Sequence, residues 1–173
     1  MLKAGKSKEE IVLALHNELA KRSEKIFFAE SCTGGEISAT ITKVPGASHY
    51  FLGSLVVYDD ILKQKILGVK KETLLHFGAV SREVVEEMTE GLFHLSKATW
   101  VIAVSGIAGP DGGSIEKPVG TIWASVSKRG EKLDIGLMPL TQGLSRKEII
   151  EETTQWLLDA LWRKIAHNIR VFT

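Results

Sequence analysis

Three short polar segments carry the residue types that could do chemistry: ESCTGG at residues 30–35, the pair Tyr58 and Lys63, and SGIAGPDGG at residues 105–113. In the first, Ser31 follows an apolar run, IFFA at 26–29, and precedes Gly34 and Gly35. A serine on a sharp strand-to-helix turn is held clear of its sheet beside free backbone N–H groups, and glycines let a ligand approach the main chain. Such N–H groups suit an oxyanion or a phosphate. The competing reading makes Ser31 or Thr33 a helix cap. Cys32 is intrinsically the stronger nucleophile, but successive side chains of an extended segment point to opposite sides, so only one of the two faces a common site. A small cysteine at a strand end more commonly fills core. Glu30 reads either as a general acid or base or as a buried acceptor for loop amides.

A serine hydroxyl needs a base. His16 and His94 fall inside helical patterns, His76 lies near a helix end and His167 is in the tail, which leaves His49 beside the VPGAS turn. Lys63, five positions after Tyr58, is the favoured candidate. To accept a proton near pH 7 its amine has to come down from about 10.4, at a cost of roughly 4 kcal/mol. Burial beside Ile61, Leu62 and Ile66 is expected to supply part of that; a solvated surface lysine is the alternative. The third segment offers Ser105, Gly106, Gly109, Asp111, Gly112 and Gly113, a composition suited to backbone contact with a sugar or phosphate. Asp-Gly is also an ordinary turn, yet structureless stretches of a dozen or more residues are usually functional. The pattern matches neither a P-loop nor a dinucleotide fingerprint, so no ATP or NAD cofactor is expected. The acids are too scattered to name a metal site, and a single cysteine excludes an intramolecular disulfide.

The elements that must position these segments follow from periodicity. Ser7 and Glu10 form a capping box ahead of Ile11, Leu15 and Leu19, predicting a helix over 8–22. After the 26–29 strand, Ile37 and Ile41 carry helical spacing up to VPGAS; FLGSLVVY at 51–58 reads as a strand, and DDILKQKIL as a helix opened by two acids. Ser81 caps a long helix with Val84, Val85, Met88, Leu92 and Leu95 as its apolar stripe. Strands are expected at 99–104, 120–126 and 132–140, the first two separated by the glycine-rich loop. A second capping box, Ser145 and Glu148, opens a final helix presenting Ile149, Trp156, Leu157, Ala160 and Leu161 to the core. The expected architecture is one domain over 1–173, a three-layer α/β/α sandwich with a mixed sheet.

With 22 basic and 21 acidic side chains the formal charge is +1, which argues against nucleic acid or an anionic membrane as partner. No stretch approaches the eighteen or so apolar residues of a spanning helix, and MLKAGKSKEE lacks the apolar run of a signal peptide, so a cytoplasmic location is expected.

AESCTGG at 29–35, PGAS at 45–48, Tyr58 and Lys63, then LGV, GAVS, SGIAGPDGG and KPVGT resemble the C-terminal domain of the competence and damage-inducible CinA family, in order and spacing from about residue 7 to 165. That family includes nicotinamide-nucleotide amidases. The resemblance implies a three-layer α/β/α fold, no cofactor, and hydrolysis of nicotinamide mononucleotide to nicotinate mononucleotide and ammonia, with the nucleophile at Ser31. Lys63 would deprotonate it with Tyr58 in the relay, and N–H groups of the following helix turn would hold the oxyanion. Thr33, Ser48, the Ser105–Gly113 loop and Arg146 are the expected phosphate donors. Family habit implies a homo-oligomer. Two departures stand out: Ile150 occupies a position where many relatives have a second arginine, and Asp59 and Asp60 follow Tyr58 where serine or asparagine is usual first. A catalytically silent nucleotide-binding or regulatory module is the alternative reading.

Overall fold

A computed structural model describes residues 6–140 and 143–172. The Ser7–Glu10 capping box starts helix α1, Lys8–Arg22. Strand β1, Ile26–Glu30, runs through the ESCTGG turn into α2, Glu36–Thr42. A 3₁₀ turn at Ala47–His49 leads to β2, Phe51–Val56. Asp59 caps α3, Asp60–Leu67, its carboxylate accepting from the Ile61 amide; α4, Lys71–Phe77, and α5, Arg82–Leu95, follow. Strands β3, Trp100–Gly106, β4, Ile122–Lys128, and β5, Ile135–Leu137, precede α6, Arg146–His167, which opens on the Ser145–Glu148 box.

The strands form one mixed sheet in the order β2-β1-β3-β4-β5, with β1 parallel to both β2 and β3 and the last two pairings antiparallel. Alternation along the central strands divides the core. Ile26, Phe28, Trp100, Ile102 and Val104 pack with α1, α2 and α6, whereas Ala29, Val101 and Ala103 pack with α3 and α5. The result is a single-domain α/β/α sandwich. The chain leaves β1 toward one face and β2 toward the other, which opens a crevice at their carboxyl ends. No helix among the described residues is long and apolar enough to cross a membrane.

The structure corrects several expectations. Leu95 is 54% exposed and does not join the apolar stripe of α5. β3 runs two residues further than expected because Ser105 and Gly106 pair with Trp123 and Ile122, so the loop begins at Ile107. β4 begins at Ile122 because the Gly120 and Thr121 amides close the loop base onto Ile107 and Pro118 carbonyls. The expected 132–140 strand shrinks to three residues: Pro139 removes a ladder donor, and the Asp134 amide turns to the Ser127 hydroxyl. His167 is the last residue of α6 rather than part of a tail.

Just before β5, Asp134 is buried and accepts from Lys164 of α6 and from the amides of Val171 and Phe172 at 2.8 and 3.1 Å. Burial alone would push its carboxyl up, but the Lys164 hydrogen bond, the two amides and the Lys164 charge outweigh that and hold it below the ordinary carboxylate range. Since the folded value is the depressed one, the stabilisation is present above the unfolded carboxylate value near 3.9 and is lost as pH falls through the folded value. Removing one partner strands the other charge in the interior. Asp134→Asn is therefore expected to destabilise the fold by about 3 kcal/mol at pH 7 in urea denaturation, with the difference from wild type shrinking below pH 4; an equal difference at pH 7 and pH 3 would contradict this.

Candidate active site

The site is built around Glu30, the last residue of β1. Its carboxylate has no exposed surface and accepts five hydrogen bonds. One oxygen takes the Thr33 hydroxyl at 2.9 Å and the Gly35 and Ile37 amides at 3.1 and 3.0 Å; the other takes the Ser38 amide at 2.9 Å and the Ser54 hydroxyl of β2 at 3.0 Å. A negative charge at the N-terminus of α2 complements the helix dipole, and the turn that wraps it needs left-handed backbone. Gly34 and Gly35 supply that, at φ 61° and 101°.

This arrangement engages amides that the sequence reading offered to an anion. The first turn of α2 has its donors engaged by Glu30 and by the Thr33 and Gly35 carbonyls, so that turn does not present them to a ligand. Among the described residues the amides that lack a backbone or side-chain acceptor here are those of Cys32 and Thr33, with the Cys32 amide lying against its own sulfur. Ser31 is fixed at the crest: its amide donates to the Val104 carbonyl of β3 at 3.2 Å and its carbonyl accepts from Gly34 at 3.1 Å. Its residue is 7% exposed, and its hydroxyl makes no hydrogen bond among the described residues. Cys32 turns into the core, where burial pushes its thiol up to about 12, the Glu30 charge adding to this and the charges of Arg146 and Lys63 opposing it. The Val57 amide donates to the Glu30 carbonyl at 2.9 Å, so Tyr58, which both Lys63 and Arg146 contact, follows directly beside the same turn.

Register explains the convergence. Glu30 pairs with Val56 on β2 and Val104 on β3, so the ends of β1 and β2 are level and β3 runs two residues beyond them. Lys63, one turn into α3, is only 1% exposed; its ammonium nitrogen donates to the Tyr58 carbonyl and to Asp60 Oδ1, both at 3.0 Å. The expected apolar shelter is different: Ile61, Leu62 and Ile66 face outward, and Lys63 lies on the inward face with Leu67. Tyr58 is exposed, and its hydroxyl accepts from Arg146 at 2.9 Å instead of contacting Lys63, so its side chain is not in a relay with the amine. Arg146, the first residue of α6, also donates to the Gly109 carbonyl at 2.7 Å. It thus ties the loops after β2 and β3 together.

Other expected phosphate donors are placed differently. Ser48 lies before β2, at the opposite end of the sheet, roughly 20 Å away at about 3.3 Å per strand residue. The buried Ser105 hydroxyl donates to the Ala79 carbonyl at 2.8 Å, and the Thr33 hydroxyl to Glu30. Gly106 belongs to β3, where a Cβ would collide with Ile122 at 2.1 Å. Asp111 and Gly112 are exposed on the loop, whose Gly109, Asp111, Gly112 and Gly113 amides have no acceptor among the described residues. Lys117 pins this loop by donating to the Phe77 carbonyl at 2.7 Å. Ile150 packs half-buried against the core. Among the described residues no cluster of three His, Cys, Asp or Glu side chains suits a metal ion.

Sequence reasoning missed the Asp60–Lys63 pair, whose i,i+3 spacing at the start of a predicted helix was the available signal. It also missed the Arg146 bridge, which joins residues 88 positions apart and leaves no local trace. Glu30→Gln is expected to destabilise the protein by about 3 kcal/mol, because an amide nitrogen replaces one acceptor and leaves buried donors unpaired. Ser54→Ala, which removes one of the donors, should cost about 1 kcal/mol. Equal losses in urea denaturation would contradict a carboxylate-centred turn.

Residues 8–165 match the CinA C-terminal domain. A CinA-like protein from Endomicrobium trichonymphae is 44% identical over 149 residues, covering 85% of this chain and 34% of that protein. One from Thermotoga sp. (strain RQ2) is 50% identical over 118 residues, covering 68% and 28%. The chain thus spans about a third of the length of these curated relatives. The crystal structure of the competence/damage inducible protein CihA from Agrobacterium tumefaciens superposes with a TM-score of 0.86 at 35% identity, covering 93% of this chain and 97% of that one. The competence damage-inducible protein A (ComA) from Klebsiella pneumoniae gives 0.87 at 31%, covering 94% and 99%. With its ESCTGG turn, its glycine loop and its whole sheet inside these matches, the chain belongs to the CinA C-terminal domain family.

Proposed function

We propose that this chain is a serine amidohydrolase that converts nicotinamide mononucleotide to nicotinate mononucleotide and ammonia. The observation that carries the reading is the Ser31 hydroxyl, which makes no hydrogen bond among the described residues, on a turn that adjoins Tyr58, the residue that both Lys63 and Arg146 contact. Lys63 in its neutral form takes the hydroxyl proton as Ser31 attacks the carboxamide carbon. The Cys32 and Thr33 amides receive the oxyanion, and the proton passes to the leaving nitrogen, which departs as ammonia. Water, deprotonated in turn by Lys63, hydrolyses the ester and frees the acid. Each step uses only water, side chains and backbone amides, so the reaction calls for no cofactor.

The same arrangement suits the rest of the substrate. Arg146 and the unpaired loop amides supply donors for a ribose phosphate, and Tyr58 offers an exposed ring beside them for the pyridinium. A homo-oligomer belongs to this reading, since Val56, Tyr58, Ile61, Leu62 and Ile66 leave exposed apolar surface beside the site. The catalytically silent module is favoured by one observation: both contacts of the Lys63 nitrogen are to acceptors, a carbonyl and a carboxylate.

Ammonia release from nicotinamide mononucleotide tests the reading. Ser31→Ala is expected to lower kcat by at least a thousandfold while the mononucleotide still binds; saturable binding without turnover in the wild type would establish the silent module instead. Lys63→Met should reduce kcat far more than it raises KM, and unchanged turnover would remove Lys63 as base. Cys32→Ser should stay within a few-fold of wild type, and iodoacetamide should leave the folded enzyme active at pH 8, since the thiolate is scarcely populated there. Rapid inactivation by alkylation would move the nucleophile to Cys32.

A further inference from the structure

We propose that Asp60 is the positioning residue that sets the pH at which Lys63 can take the Ser31 proton. The inference rests on Lys63 being the base. Asp60 Oδ1 lies 3.0 Å from the Lys63 nitrogen, and the two side chains differ sharply in exposure, 50% for Asp60 and 1% for Lys63. The amine is therefore sealed from solvent on the inward face of α3, and Asp60 is the ionised group that both contacts it and meets water. A carboxylate at this distance favours the ammonium form, which cannot accept a proton. It also offers the buried nitrogen a route for proton exchange with solvent.

The other charged groups nearby are engaged elsewhere or stand further from the nitrogen. The Asp59 carboxylate accepts from the Ile61 amide at 2.7 Å, and Glu30 is enclosed by its five donors. Arg146 is held by Tyr58 and Gly109. From α5, which packs on α3, Glu87 binds the Lys70 amide and the Thr73 hydroxyl, and Arg82 donates to the Ile135 carbonyl. Asp60 is thus the one acidic side chain that hydrogen-bonds Lys63 among the described residues. Its neutral counterpart of the same shape, asparagine, would keep the contact and drop the charge.

The test titrates the full chain containing lysine labelled with ¹³C at the ε carbon, with the Lys63 signal assigned from its loss in Lys63→Met. In Asp60→Asn the midpoint of that signal is expected to fall by about one pH unit or more, and in Asp60→Glu to stay near wild type. The rise of kcat with pH for ammonia release should move down by the same amount with KM little changed, giving about fivefold higher kcat one unit below the wild-type midpoint for a one-unit shift. A midpoint that does not move overturns the inference, whatever the activity. A moved midpoint with an unmoved kcat profile upholds the hold of Asp60 on the amine and overturns instead the role of Lys63 as base.

Discussion

A carboxylate at the end of the first strand, closed off from water and surrounded by donors from the following turn, a helix start and the neighbouring edge strand, governs the geometry of this molecule. An unpaired charge there would cost several kcal/mol, and only the full set of donors makes the position tolerable. That requirement fixes the path of the chain from Ser31 to Ser38. It forces left-handed backbone at Gly34 and Gly35, draws the first turn of α2 onto β1, and through Ser54 ties the edge strand to the centre of the sheet. It also decides which amides of this turn stay open. With the helix amides engaged by a protein carboxylate, the amides of Cys32 and Thr33 remain, and these adjoin the hydroxyl at the crest.

Around this turn, two cationic side chains draw in distant loops. Arg146 links the start of α6 to both the segment after β2 and the glycine loop, while Lys117 holds the far limb of that loop against the end of α4. Lys164 does comparable work at the other end of α6, where it meets Asp134 beneath the C-terminal strap. The long final helix thus binds the site at one end and the short edge strand at the other, and its apolar face closes one layer of the core.

Local signals in the sequence were read correctly where the interactions themselves are local. Ser7–Glu10 and Ser145–Glu148 form the reciprocal caps their spacing predicts, Asp59 and Ser81 cap their helices, and the apolar runs IFFA and WVIAV form strands. Cys32 as core filler and Glu30 as acceptor for loop amides were legible from position at a strand end. The phosphate contacts were not, because a serine hydroxyl looks alike in sequence whether it is offered to a ligand or bonded to a carbonyl. Ser105 is committed to Ala79 and Thr33 to Glu30, and Ser48 is on the wrong end of a parallel strand. The brief β5 likewise depends on Ser127 and Phe172, which are distant in the chain.

In the proposed reaction these features meet at Ser31, held on a turn organised by a buried charge, and that reaction requires a covalent bond between the substrate's carbonyl carbon and the Ser31 oxygen. Acid quenching during the first turnovers with nicotinamide mononucleotide, followed by peptide mass spectrometry, observes that bond directly. The account predicts a nicotinate-mononucleotide ester on the peptide containing Ser31, located on the serine by fragmentation and absent from Ser31→Ala. Ammonia released in a burst with the adduct on Cys32, or on no residue at all, would contradict it.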